Sequence, residues 1–393
     1  MPHTSSKTAP VREKMLGYGR QWIEQEDIDA VAEVLRSDWL TCGPMVERFE
    51  RTVAEFVGAS HGVAVSSGTA ALHAAVHAAG IGAGDEVIVP AMTFAASANA
   101  VLYAGGKPVF ADVDADTLLL DPADVRKKIS ERTRAILPVD YAGQPCDYEQ
   151  LRKIAREHKL TLIADACHAL GATVNERRVG TLAELTVFSF HPVKHITTCE
   201  GGMIVCQDER LAREMRTFRN HGIDTDARER AAKGSWYYEM VTLGFNYRLS
   251  DVQCALGVAQ MRRLPQWLER RREIARRYDE AFATIGGVRP LGKREGVSHA
   301  YHLYVVRFDL PKAKKEDIFA ALRAEGIGVN VHYIPVHLHP YYRKNLGTKP
   351  GMCPVAERAY EQIVSLPMFP AMSDQDVSDV IEAVGKVVRR YGG

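Results

Sequence analysis

Lys194 closes the run Phe188-Ser189-Phe190-His191-Pro192-Val193-Lys194, where an apolar strand gives way to a polar turn that continues through Thr197-Thr198-Cys199-Glu200-Gly201-Gly202. An amine in such a turn can be a covalent catalyst, because it forms a Schiff base with the aldehyde of pyridoxal phosphate (PLP). That chemistry also requires a carboxylate for the pyridine nitrogen and donors for a phosphate. Asp165 meets the first need: it follows the short apolar run 160–164 and opens Asp165-Ala166-Cys167-His168-Ala169-Leu170-Gly171, at the sheet edge where α/β proteins bind ligands. Ser66-Ser67-Gly68-Thr69-Ala70-Ala71-Leu72 meets the second. A strand running into a helix start aims backbone N–H groups and the helix dipole at an anion, with Gly68 and Thr69 as anchors. Taken singly these are ordinary features: a lysine after a strand is usually solvated, an aspartate there caps a turn, and Ser-Gly-Thr is an N-cap. Their order along one chain is what points to chemistry.

The elements that must bring these turns to one edge are short apolar strands at 62–65, 86–89, 108–111, 135–139, 160–164, 185–190 and 203–206, alternating with helical stretches. This is the pattern of a doubly wound sheet. Helical spacing begins near Glu24, with Ile28, Val31, Ala32 and Leu35 on one face. Asp121-Pro122 and Ser250-Asp251-Val252-Gln253 mark helix starts, the second with capping-box spacing. The expected organisation is an N-terminal arm at 1–23, a large domain at 24–265 and a smaller α+β domain at 266–393. The small domain is entered by a long helix through Arg276 and holds a strand at 302–308, a helix at 315–324 stopped by Gly326, and a last helix after Ser373.

At 393 residues, 46% hydrophobic and 25% charged, the chain can bury a large core. A net charge of +1 gives no case for nucleic acid or a membrane surface as partner, and the arginine-rich stretch 263–277 reads as the wet face of a helix. No apolar run spans a bilayer, and Pro2, His3, Lys7 and Arg12 leave no apolar core for a signal peptide, so a cytoplasmic enzyme is expected. Seven cysteines without a paired C-x-x-C spacing suit reduced thiols, with Cys167 and Cys199 as small packing residues. Two rival chemistries have little support. His332, His337 and His339 could bind a metal, but Pro335 and Pro340 make their segment a loop and no zinc-type spacing accompanies them, so no metal is expected. A nicotinamide enzyme would carry a G-x-G-x-x-G turn after its first strand, and none is there.

The glycine-threonine turn, the aromatic turn Pro90-Ala91-Met92-Thr93-Phe94, Asp-x-x-His, Ser-x-x-x-x-Lys and Glu-Gly-Gly resemble, in this order, the sugar aminotransferases of the DegT/DnrJ/EryC1/StrS family. That family has the aspartate-aminotransferase (type I) fold of PLP enzymes, and the likeness runs from about Tyr18 to the C-terminus. The resemblance implies a catalytic set of Lys194, Asp165 and His168, with His168 near the phenolic oxygen or ring face of the cofactor. It implies Ser189 on the phosphate, Phe94 stacked on the ring, and Asn246, in Gly244-Phe245-Asn246-Tyr247, reaching the phosphate across a homodimer interface. Such a homodimer would share its active sites.

Closer matching favours the branch that makes pseudaminic acid precursors. That branch moves an amino group from L-glutamate to C4 of a UDP-linked 4-keto-6-deoxy-N-acetylhexosamine. Tyr18, Asp38, Trp39, Leu40, Thr41, Asn330, Val331, His332 and Tyr333 would then line the nucleotide-sugar site. A UDP-D-xylo, GDP- or dTDP-linked ketosugar stays open, because that choice rests on single hydroxyls. Relatives that dehydrate sugars carry histidine at the lysine position, which Lys194 argues against; a PLP-binding regulator would differ by failing to turn over.

Overall fold

The computed structural model describes residues 9–232 and 234–392, so residues 1–8 of the expected arm lie outside the described residues. The strands are β1 (His61–Val65), β2 (Glu86–Pro90), β3 (Lys107–Ala111), β4 (Thr133–Ile136), β5 (Thr161–Asp165), β6 (Thr173–Val174), β7 (Arg177–Arg178), β8 (Leu185–Ser189), β9 (Gly202–Cys206), β10 (Val288–Pro290), β11 (Val297–Ser298), β12 (Tyr304–Phe308) and β13 (Ile363–Leu366). Seven of them form one sheet in the order β1-β9-β8-β5-β4-β2-β3, with β9 antiparallel to both its neighbours and every other pairing parallel. Val63, Val65, Val87, Val89, Leu162, Ile163, Val187 and Ile204 are fully buried. Strands covered on both faces are written as continuous apolar runs, which is why they are easily read in the sequence. β4 stops at Ile136, short of the expected 139. Pro138 lacks the N–H to continue a ladder, and only its carbonyl is used, by the Asp165 N–H. Two three-stranded sheets, β10-β12-β13 and β11-β6-β7, complete the set.

Because β1, β2, β5 and β8 run the same way and β9 runs opposite, their last residues and the first of β9 meet at one edge. Val65, Pro90, Asp165, Ser189 and Gly202 therefore stand together there. Gly202 shows how tight that edge is: a Cβ on it would overlap the Ser67 carbonyl and approach Gly68 N to 2.9 Å. Gly202→Ala is expected to destabilise the chain by about 3 kcal/mol, read as a lower denaturant midpoint at unchanged slope, because the atoms in the way are the Ser67–Gly68 backbone, which cannot yield as a flexible side chain would.

The helix Asp251–Phe282 starts at the expected capping box, Ser250 and Gln253 each bonding the other's backbone. It runs unbroken through Pro265, so the expected boundary at 265 falls inside a helix. Leu264, Trp267 and Leu268 belong to a first core around the large sheet, whereas Ile274, Ala275, Tyr278 and Phe282 belong to a second built on β12, β13 and the helices Lys315–Ala324 and Asp374–Tyr391. Segments after residue 300 also feed the first core, through Val336, Tyr342 and Ala356.

The helix Gln25–Leu35 forms as expected, but its apolar stripe does not face inward: Ile28 is 52% and Leu35 58% exposed, and Asp27 and Val34 are buried instead. The reason is a polar dock. Asp27 pairs with Arg263 and accepts from the Gln260 amide at 2.8 Å, and these side chains come from the long helix.

Candidate active site

A cavity of about 550 Å³ opens at the C-terminal edge of the large sheet. Asp165 ends β5 at its floor, 6% exposed. Both carboxylate oxygens are engaged: Oδ2 accepts the Ser97 hydroxyl at 2.7 Å and Oδ1 the Cys167 N–H at 3.2 Å. Since Ser97 spends its proton on Asp165, the Thr93 hydroxyl 2.8 Å away must donate to Ser97. The Asp165 backbone is clamped as well, its carbonyl accepting from Asp140 N at 3.0 Å. Asp140 itself is fully buried, and burial, partly offset by bonds from Cys146 N and the Tyr148 hydroxyl, pushes its carboxyl up to about 7.

The turn after β1 supplies the anion cradle. Ser67 is the N-cap of the helix Gly68–Ala78, its hydroxyl accepting from Ala70 N at 3.0 Å. Gly68, Thr69 and Ser189 line the same part of the cavity, where the first-turn N–H groups have no intrahelical acceptor. A Cβ on Gly68 would stand 2.9 Å from Ser189 Cβ, so glycine is what lets the helix start meet the end of β8. Phe94, N-cap of the helix Ala95–Tyr103, lies on the cavity wall, 60% exposed, with its ring centroid 5.8 Å from that of Tyr333.

Lys194 reaches the cavity from the turn after β8, its Nζ 3.4 Å from His302 Nε2. Burial lowers its pKa, and Cys167 and Asp165 counter only part of that. His168 Nε2 lies 3.1 Å from the Tyr333 hydroxyl, and burial, with the Lys194 charge, holds the imidazole neutral. Tyr18, Asn330, Val331, His332 and Tyr333 line the same cavity. His332 bonds Ser365 Oγ through Nδ1 at 2.8 Å, its carbonyl accepts from the Tyr141 hydroxyl, and burial pushes its pKa down to about 3. His337 pairs instead with Glu357 at 2.8 Å, and among the described residues no three histidine, cysteine or carboxylate side chains gather as a metal site.

Some of the sequence-derived residues stand apart. Asp38, Trp39, Leu40 and Thr41 do not line this cavity; Leu40 and Thr41 contact the start of the long helix at Asp251 and Ser250, and Trp39 is 44% exposed. Asn246 is likewise outside the cavity of its own chain and bridges to Asn220. Conversely, Ser97, His191, Glu200 and His302 were not assigned to the site from sequence. Three of them sit in or beside quoted motifs, but His302 carries no local signal.

The residues present fit PLP: a carboxylate fixed at the floor, a helix start with a serine beside it, an exposed aromatic wall and one amine converge on one cavity. Comparison with known proteins gives the same picture. A model of the DegT/DnrJ/EryC1/StrS aminotransferase family matches residues 21–385. The chain is 44% identical over 383 residues to the spore coat polysaccharide biosynthesis protein SpsC of Bacillus subtilis (strain 168), spanning 96% of this chain and 98% of that protein. Its fold is similar to that of Spr1654 from Streptococcus pneumoniae in the PLP form, with TM-score 0.89, 33% identity and coverage of 96% of this chain and 99% of that one. It is also similar to Helicobacter pylori PseC, an aminotransferase involved in the biosynthesis of pseudoaminic acid, with TM-score 0.88, 32% identity and coverage of 96% and 100%.

Proposed function

The chain belongs to the DegT/DnrJ/EryC1/StrS aminotransferase family and is a PLP-dependent sugar aminotransferase of type I fold, and we propose that it carries an amino group from L-glutamate to C4 of a UDP-linked 4-keto-6-deoxy-N-acetylhexosamine. The observation that carries the aminotransferase chemistry is the meeting of Lys194, Asp165 and the Ser67–Thr69 helix start in one cavity. The sugar assignment is supported by the likeness to PseC and by the wall of Tyr18, Asn330, His332 and Tyr333. The product would feed pseudaminic acid synthesis in the cytoplasm.

Bound here, the cofactor supplies an aldehyde carbon for amines and a protonated ring that draws electrons from an adjoining C–H bond. Asp165 would face the ring nitrogen and favour its protonated form through charge, and Ser97 with Cys167 N–H keeps the carboxylate in one rotamer. Gly68, Thr69 and Ser189 would hold the phosphate, and Phe94 would cover the ring. Lys194, freed when the donor binds, takes a proton from the donor Cα and returns it one carbon away, as base and then acid. Its depressed pKa keeps the amine available as a base at lower pH than an exposed lysine allows. His168, kept neutral, bonds Tyr333 and orients the substrate side. Glutamate leaves as a 2-oxo acid before the ketone enters, so parallel lines are expected in double-reciprocal plots.

A homodimer sharing its sites is part of this proposal. Trp236, Tyr238, Met240, Val241 and Leu243 stand exposed in one segment just before Asn246, Trp236 at 84%. An exposed apolar segment of that kind asks for a cover, and a second copy would bring Asn246 to the other's phosphate. Sedimentation should give a dimer, and Asn246→Ala should weaken cofactor affinity roughly tenfold without dissociating it.

The substrate is tested by single turnover. Enzyme loaded with amino groups from glutamate is mixed with each of a panel of nucleotide-linked ketosugars, and return of the cofactor's visible absorption is followed. Return with the UDP-linked L-arabino 4-ketosugar alone is expected. Return only with a GDP-, dTDP- or UDP-D-xylo ketosugar moves the pathway and leaves the reaction. That second reading has one observation behind it, the likeness to SpsC, a protein of spore coat polysaccharide biosynthesis.

A further inference from the structure

His302 contacts the lysine amine yet belongs to none of the motifs. It is 5% exposed, its Nε2 lies 3.4 Å from Lys194 Nζ, and its ring packs on His168 at 4.4 Å between centroids. Among the described residues its Nδ1 has no partner, so the hydrogen bond its ring makes is the one with Lys194. The backbone beneath it is held from two sides. Arg271, 1% exposed, donates to the carbonyls of Tyr301 at 2.9 Å, His302 at 3.4 Å and Met368 at 3.0 Å. On the other side Gly143 lies so close that a Cβ would stand 2.8 Å from Tyr301 N and 2.9 Å from His302 N. A fully buried arginine spent on three carbonyls is an expensive way to place a loop, and what the loop presents to the cavity is one imidazole.

We propose that His302 is a positioning residue for Lys194: its imidazole accepts one amine N–H through Nε2 and so turns the lysine lone pair toward the cavity, where the carbon that gives up or receives the proton must lie. The inference rests on Lys194 being the reacting amine. An ammonium has donors only, and an acceptor for it in a buried site is worth more than one for a neutral group. His302 therefore also supports the protonated lysine. The charged and titratable groups around that amine are Asp165 and Cys167, which raise its pKa, and the imidazoles of His168, His195, His302 and His332, which are themselves driven neutral by burial and by the lysine charge.

The test compares His302→Phe, which keeps the ring packing and removes the acceptor, with His302→Gln, whose amide oxygen can replace Nε2. In the cofactor-free protein, the pH at which Lys194 becomes reactive toward a small amine-modifying reagent is read by peptide mass spectrometry. In the Phe variant it should move down by about one pH unit, and in the Gln variant it should stay within about a third of that. In the loaded enzyme, kcat should fall roughly 30-fold for Phe, with KM for both substrates within about threefold, and Gln should recover most of it. An unchanged labelling midpoint and kcat in His302→Phe would overturn the proposal, as would equal losses in both variants, which describe a packing role. Turnover by Lys194→Ala would instead overturn the lysine reading beneath it. Should both His302 variants fail to fold, ¹⁵N-histidine spectra of the wild-type protein decide. The His302 imidazole, assigned by its ring contact with His168, must shift its Nε2 signal more than the other histidines as Lys194 titrates and must lose that shift in Lys194→Ala; an unshifted His302 signal overturns the proposal.

Discussion

Lys194→Ala is expected to fold, to keep cofactor noncovalently, and to lose both the cofactor's visible absorption and turnover, the latter by at least ~10⁴-fold. The size follows from two functions on one atom. In the proposed mechanism Nζ is the covalent tether and also the base and acid of the proton transfer, and the cavity offers no second amine: among its neutral imidazoles His168 and His332 are tied to Tyr333 and Ser365, and His302 faces the amine itself. The loss should not be one of stability. Burial puts the lysine pKa below its unfolded value, so folding without cofactor releases a proton from this group and stability is lost as pH falls through that window. Removing the amine removes that loss, and the cofactor-free variant should melt no lower than the wild type at neutral pH. Undiminished amination by Lys194→Ala would refute the assignment; a lower melting temperature with residual turnover would point to a packing role.

Much of this site was legible because its residues sit at strand ends. Asp165 and Lys194 each follow a run buried on both faces, and such runs announce themselves in sequence whatever surrounds them. The glycines at 68 and 202 were legible as motif members, though the reason for them, the Ser189 side chain and the Ser67 carbonyl, is a matter of packing. What could not be read depends on partners far along the chain. Ser97 stands three residues past the quoted aromatic turn, in the first turn of the helix Ala95–Tyr103, but its task is set by a carboxylate 68 residues away. His302 meets Lys194 across 108 residues and is put there by Arg271 and Gly143. Gly143 closes the run Asp140-Tyr141-Ala142-Gly143, which was legible as a motif but not as a support for residue 302; Arg271 lies in the arginine-rich stretch expected to be a wet helix face and is instead 1% exposed, because its guanidinium is turned onto carbonyls of the second core. The helix Gln25–Leu35 failed in the opposite way. Its apolar spacing placed Ile28, Val31, Ala32 and Leu35 on one face, but the helix docks through the Asp27 carboxylate on Arg263 and leaves Ile28 and Leu35 outside. Periodicity reports which face is apolar and says nothing of a polar dock that outweighs it. Asp38 to Thr41 resembled a substrate wall and lie at the start of the long helix instead, so within one chain they have no access to the cavity. Only the paired copy invoked for Asn246 could give them one.

Asp165→Asn is expected to separate the electrostatic function of the site from its covalent one. The substitution keeps shape and leaves Lys194 untouched, so the cofactor should remain bound with its visible absorption, while turnover falls by roughly 10²–10³-fold. The carboxylate is an acceptor at both oxygens, filled by Ser97 and by Cys167 N–H. An asparagine can satisfy only one of them with its oxygen, and the Cys167 N–H has no freedom to turn, whereas the Ser97 hydroxyl can redirect its proton toward Thr93. The amide nitrogen will therefore lie on the Ser97 side, the local structure will survive, and what disappears is the negative charge that holds a proton on the ring nitrogen. Ser97→Ala removes one bond to Asp165 and leaves the charge, so its loss should stay near tenfold. Equal rates for Asp165→Asn and wild type would show that the charge at the floor does nothing for proton abstraction. Equal losses for Asp165→Asn and Ser97→Ala would instead assign the effect to carboxylate orientation.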